Sequence, residues 1–156
     1  MPATDQSTKA LSDREIAITH EFDAPAAKVF AAYTDPKQVP KWWGAKGNGV
    51  RVDVMDVRPG GSWRFVQKGH DGKDFVSFGK YVEVKPVTRL VYTFQAEGMP
   101  NTVTTTVDLR EAGGKTHMTL TLLAESKEQR DNMAKYGATA GAKAAAVQLA
   151  EYLRTV

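Results

Sequence analysis

From Gly49 to Ala124 the chain is a succession of short alternating segments joined by links of a few residues, and this pattern constrains the fold more than any other. The segments run from Gly49 to Val57, Ser62 to Lys68, Asp74 to Val84, Arg89 to Ala96, Thr102 to Arg110 and Lys115 to Ala124. Each carries the two-residue period of a half-buried strand. Pro59-Gly60-Gly61, His70-Asp71-Gly72-Lys73, Pro86 and Glu111-Ala112-Gly113-Gly114 divide them, and the Asp-Gly pair supplies a hairpin turn. Links this short cannot hold the crossover that parallel neighbours need, so the expected arrangement is an antiparallel meander. Gly79 inside the third segment suggests a bulge.

The alternation also assigns faces. Leu90, Tyr92 and Phe94, then Val103, Thr105, Val107 and Leu109, then Met118, Leu120 and Leu122 point one way. Thr102, Thr104, Thr106 and Asp108, with His117, Thr119 and Thr121, point the other way, which describes a sheet with one wet face. An earlier strand carries Ile16, Ile18, His20 and Phe22 on one side. Ala24-Pro25 then opens a short helix with Val29, Phe30 and Tyr33 on its apolar face, and Asp35-Pro36 signals a second with Asp35 as N-cap. Val39, Trp42 and Trp43 are spaced for its buried side, although Pro40 weakens it. Ser126 to Gln129 fits a capping box, and helix-forming sequence continues to Val156 with Ala142, Ala145, Leu149, Leu153 and Val156 in one stripe. The fold class expected is α+β, a curved antiparallel sheet with two short helices and a long C-terminal helix.

At 156 residues, 42% of them hydrophobic, the chain suits one domain with one core. Met1 to Asp13 reads as a flexible terminus and 14–156 as the folded domain. No apolar run is long enough to span a bilayer and the polar start lacks a signal-peptide core, so the expectation is a cytoplasmic protein with no membrane partner. Zero cysteines leave only His20, His70, His117 and carboxylates for a metal, and their spacing matches no ligand motif, so neither metal nor cofactor is expected. The formal charge of +3 is carried by scattered residues, among them Lys28, Lys37, Lys41, Lys46, Arg51, Arg58 and Arg64, which does not indicate nucleic-acid binding.

Several motifs occur in a telling order: Asp23-Ala24-Pro25 before Val29-Phe30, Thr34-Asp35-Pro36, Trp42-Trp43-Gly44, the run from Asp56 to Phe65, and Arg89 to Phe94. Glu97-Gly98-Met99-Pro100 and Arg130-Asp131 follow, with Gly137 and Gly141 downstream. From about Arg14 to the end the chain resembles the SRPBCC superfamily, START-like, in its branch named after the activator of the ninety-kilodalton heat-shock-protein ATPase. The resemblance implies a helix-grip fold, like that of the birch-pollen allergen, with a hydrophobic cavity that the superfamily uses for apolar molecules. It does not imply one activity.

On that basis the expected function is small-molecule binding, with an apolar or amphipathic ligand held between sheet and C-terminal helix. The expected wall is Trp43, Trp63, Phe65, Tyr81, Tyr92, Phe94, Met118, Leu120, Met133 and Tyr136, with tyrosine hydroxyls and Arg64 as polar contacts. Trp42-Trp43 is read first as core packing and second as a gate to the cavity. Asp56, Arg58 and Arg64 suit a structural ion pair better than ligand recognition. His70-Asp71 sits in a turn without a nucleophile pattern, and Glu83 becomes an interior acid only if a bulge at Gly79 turns it inward. Two alternatives stay open: a cyclase or hydratase using the same cavity, and a module regulating a chaperone ATPase. A homodimer is also left open. Small residues dominate the start of the last helix at Gly137, Ala138, Gly141, Ala142, Ala144, Ala145 and Ala146, so ligand, facing aromatics or a second subunit should fill the space beside Gly141 and Ala144.

Overall fold

A computed structural model describes residues 6–10, 12–43, 49–68, 72–98, 101–135 and 138–156. Its strands are β1 (Gln6–Ala10), β2 (Glu15–Phe22), β3 (Val50–Met55), β4 (Ser62–Lys68), β5 (Asp74–Lys85), β6 (Arg89–Ala96), β7 (Val103–Ala112) and β8 (Lys115–Leu123). Helix α1 (Ala26–Thr34) and a 3-10 turn (Val39–Lys41) lie between β2 and β3, and α2 (Lys127–Lys135) and α3 (Ala138–Leu153) follow β8. All strands join one antiparallel sheet in the order β1-β2-β8-β7-β6-β5-β4-β3. The meander from β3 to β8 is therefore as expected, and β2 pairs with β8 at its end.

The face assignments hold. Ile16, Ile18 and Phe22 on β2, Met118, Leu120 and Leu122 on β8, Val107 and Leu109 on β7, and Leu90 and Tyr92 on β6 are all buried on one side. Helix α3 lays Ala146, Leu149 and Leu153 into the same core. Two long-range hydrogen bonds seat that helix: Gln148 Nε2 donates to the Trp42 carbonyl at 2.8 Å, and the Tyr152 hydroxyl donates to Gln38 Oε1 at 3.0 Å. At the other end Thr116 Oγ1 donates to the Ala24 carbonyl at 2.7 Å and the Ala26 N–H to Glu111 Oε1 at 2.8 Å, which ties the start of α1 to β7 and β8. The capping box forms with a longer reach, for Gln129 N–H donates to Ser126 Oγ at 3.1 Å while Gln129 Oε1 accepts from the Glu125 N–H.

Four expectations need correction. The N-terminal segment is not wholly irregular, because Gln6–Ala10 pairs with β2 in register from Gln6 opposite His20 to Ala10 opposite Ile16. The second helix is only the 3-10 turn: Asp35 ends α1, and its carboxylate accepts the Lys37 N–H at 2.9 Å, as proline-containing sequence this short favours a turn over a helix. The C-terminal helical sequence is described as α2 and α3, and 136–137, including Gly137, lie outside the described residues. The register shift in β5 falls at Val82, since Tyr81 faces Tyr92 while Glu83 faces Val91. That shift leaves Glu83 on the outer face, 3.9 Å from Arg89, and so not an interior acid. Finally, Gly141 and Ala144 are exposed, and a Cβ on Gly141 would meet nothing within 4 Å, so these two do not border the core, whereas Ala142, Ala145 and Ala146 do.

Candidate functional site

The aromatic residues of β4, β5 and β6 converge with Trp42 and Trp43, which follow the 3-10 turn. Trp63 and Phe65 are two apart on β4 and therefore share its inner face, with ring centroids 4.8 Å apart. Tyr92 meets Trp63 edge-on at 5.9 Å and Phe94 lies at 5.9 Å from it. Tyr81 meets Tyr92 at 6.5 Å. Trp43 stands edge-to-face against three rings at once, Trp42 at 5.5 Å, Trp63 at 6.0 Å and Phe65 at 5.2 Å. Tyr33 on α1 packs against Trp42 at 4.8 Å. Arrangements of this kind add about 0.5–1.5 kcal/mol per pair beyond the area they bury.

Polar handles fix some of these rings. Trp42 Nε1 donates to the Ala32 carbonyl at 3.0 Å and Trp63 Nε1 to the Thr93 carbonyl at 3.0 Å. Trp63 reaches β6 only because β5 carries Gly79 beneath it. The Tyr33 hydroxyl donates to Met118 Sδ at 3.5 Å, a weak acceptor. Burial pushes the Tyr33, Tyr81 and Tyr92 phenols up, and Tyr92 is raised further by the charge that Tyr33 and Tyr81 would carry, against a smaller lowering by its hydrogen bond with Thr105. All three stay neutral donors near pH 7.

Tyr33, Val39, Trp43, Trp63, Phe65, Tyr81, Leu90 and Tyr92 surround a void of about 10 Å³. That is room for a water at most, whereas ligand sites run from about 300 Å³ upward. The rings fill the space they were expected to line.

Of the expected wall, Trp43, Trp63, Phe65, Tyr81, Tyr92 and Phe94 are brought together here. Met118 touches the cluster through Tyr33, while Leu120 and Met133 are buried in the common core. Tyr136 lies outside the described residues, as does His70-Asp71. Arg64 is corrected: it alternates with Trp63 and Phe65, so it faces outward and pairs with Asp53, which Arg51 also holds. Arg58 pairs with Asp56 at 2.8 Å. Tyr33, Val39 and Leu90 were not in the expected wall, although the apolar face of α1 and the inner phase of β6 both signalled them.

A wider concavity of about 750 Å³ opens on the sheet's outer face around Glu21, Lys85, Arg89, Asp108, Arg110 and His117. Much of its charge is already matched, Arg89 with Asp108 at 2.8 Å and Lys115 with Glu21 at 3.6 Å, so it offers an ion-paired, mixed surface rather than the apolar enclosure the expected ligand requires. Among the described residues no helix is long and apolar enough to cross a membrane, and no cluster of three or more His, Asp or Glu could hold a metal ion.

Solved structures reproduce this architecture. A protein from Rhodobacter sphaeroides superposes with a TM-score of 0.88 at 22% identity, over 97% of this chain and 99% of that chain. Protein Ms6760 from Mycobacterium smegmatis matches at 27% identity with a TM-score of 0.84, over 99% of both chains. A protein from Arthrobacter aurescens matches at 24% identity and a TM-score of 0.86, over 99% of this chain and 92% of that one. No curated protein matches the chain. The helix-grip fold of the SRPBCC superfamily is thus present, and the profile of the Activator of Hsp90 ATPase homolog 1-like proteins matches residues 23–154. This chain belongs to that family.

Proposed function

We propose that the protein binds a small apolar or amphipathic molecule among the inward-facing rings between the sheet and the C-terminal helices. The observation that supports this reading is the convergence of Trp43, Trp63, Phe65, Tyr81 and Tyr92 on one point, with three neutral phenol groups beside it. A packed core needs apolar volume but gains little from gathering hydroxyl donors. A binding site uses a few such donors in an apolar wall to orient its ligand. The family's helix-grip architecture supports the same reading, and binding requires the rings to part.

Native mass spectrometry of freshly purified protein tests it, with an expected adduct of one small molecule. An apolar fluorescent probe should bind at one equivalent and quench tryptophan emission. Saturable binding that left the emission unchanged would place the ligand elsewhere, and absence of both adduct and probe binding would overturn the reading.

A further inference from the structure

Among the three indoles, Trp43 is held differently. Trp42 and Trp63 are buried and each donates its ring N–H to a backbone carbonyl, at Ala32 and Thr93. Trp43 is half-buried, and the contacts described for its ring are the three edge-to-face ones to Trp42, Trp63 and Phe65. Its backbone neighbour is pinned: the Trp42 carbonyl accepts from Gln148 on α3, and the Trp42 ring is locked under α1. The Trp43 N–H is itself held by the Val39 carbonyl at 2.9 Å, so rotation about the Trp43 side-chain torsions alone would carry the ring out without disturbing the frame.

What remains behind is a slot with the shape of an indole. Its walls already meet a flat bicyclic ring edge-on, and Tyr33, Tyr81 and Tyr92 border the same void; among the described residues the Tyr33 hydroxyl donates to a thioether, a weak acceptor that a ligand oxygen would improve on. The void of about 10 Å³ is then what one expects of an occupied site. We propose, building on the binding reading above, that Trp43 is the resident occupant of the ligand site and that the ligand is a planar aromatic of two fused rings with a polar oxygen, which displaces it.

This fixes a sign. If Trp43 were part of the wall, truncating it would weaken binding. If it competes for the site, truncation removes the competitor, and apparent affinity rises by the reciprocal of the open fraction. Minor states of this kind are populated at about 0.1–10%, so the gain should be about tenfold or more.

The experiment is isothermal titration of the full chain and its Trp43→Ala variant with 2-naphthol and with trans-2-decalol, a saturated ring pair of similar bulk. Expected are binding of 2-naphthol by the wild type, tighter binding by the variant, and weaker binding of the decalol by both. Since Trp43→Ala could lower stability, the wild type is also labelled with 5-fluorotryptophan, the Trp43 resonance being assigned through Trp43→Phe. On adding 2-naphthol that resonance should move to a solvent-exposed position. Weaker binding by Trp43→Ala, or a Trp43 resonance that stays buried at saturation, overturns displacement while leaving small-molecule binding intact. Equal affinity for the two ring systems overturns the planar class. No binding of either compound to any form removes the underlying reading and this one together.

Discussion

A Cβ on Gly79 would stand 1.8 Å from the Thr93 carbonyl oxygen and 2.8 Å from Trp63 Nε1, so the Gly79→Ala side chain has to push strand and indole apart. We expect Gly79→Ala to lower stability by about 1–3 kcal/mol in urea unfolding, the range for overpacked sites. Sequence alone showed a glycine in a strand, and its reason, a ring crossing from β4 to β6, belongs to residues distant in the chain. Val87 has φ 71° at the third position of the turn closed by Thr88 N–H on the Lys85 carbonyl, where a β-branched residue is strained. Val87→Asn, which tolerates that conformation, should raise stability by about 1 kcal/mol, read as a higher melting temperature. His20 is buried 4.6 Å from the Phe22 ring with both nitrogens unpartnered among the described residues, and burial holds its pKa below the ordinary 6.5. Above that value both folded and unfolded imidazoles are neutral. Below it the unfolded chain takes up the proton first, so stability is lost as pH falls through the window under 6.5. His20→Leu should flatten the stability profile there, and an unchanged slope would assign it to other groups. The carboxylates of Asp35, Asp53 and Asp131, held down by the Lys37 amide, Arg51 and Lys127 respectively, act only as pH drops through and below their ordinary 3.8.

At the scale of elements, β3 to β8 were legible because alternation and turn residues are local signals that agree with one another. Strand β1 was not, since Gln6–Ala10 has no alternation of its own and is a strand by virtue of pairing with β2. The aromatic cluster was legible as a set of inward phases, but that its rings pack on one another depends on rotamers and strand twist, which no periodicity encodes. The last helix misled for a related reason: small residues showed that volume is missing without showing on which side. With Ala144 exposed and Ala146 buried, the two positions should now respond oppositely. Ala144→Leu should stay within about 0.5 kcal/mol of wild type and bind an apolar probe normally, whereas Ala146→Leu should cost about 1–3 kcal/mol. Thermal unfolding of the two variants side by side checks the helix phase, and equal effects would mean that α3 is rotated from the orientation described.

As a whole, the molecule is an open sheet that ends in β1 on one side and β3 on the other. The β3 edge carries a register shift between Val52 and Val54 and the charged pair Arg51 and Asp53, which discourage pairing with another sheet. The edge of β2 is covered by β1. Removing the residues up to position 11 should therefore uncover a regular edge and produce concentration-dependent association in sedimentation, and a monomeric truncated chain of unchanged stability would show that β1 protects nothing. The series of rings from Trp42 through Trp43 to Trp63, at 5.5 and 6.0 Å, carries a consequence for how the protein handles light. Excitation absorbed by any of these indoles migrates among all three before it is emitted, and it leaves from the ring with the lowest excited state. The half-exposed Trp43 has solvent dipoles to relax against, which lowers its excited state below those of its buried neighbours. Three chromophores thus share one colour, and a change at that single ring shifts the emission of the entire protein while the other two stay where they are.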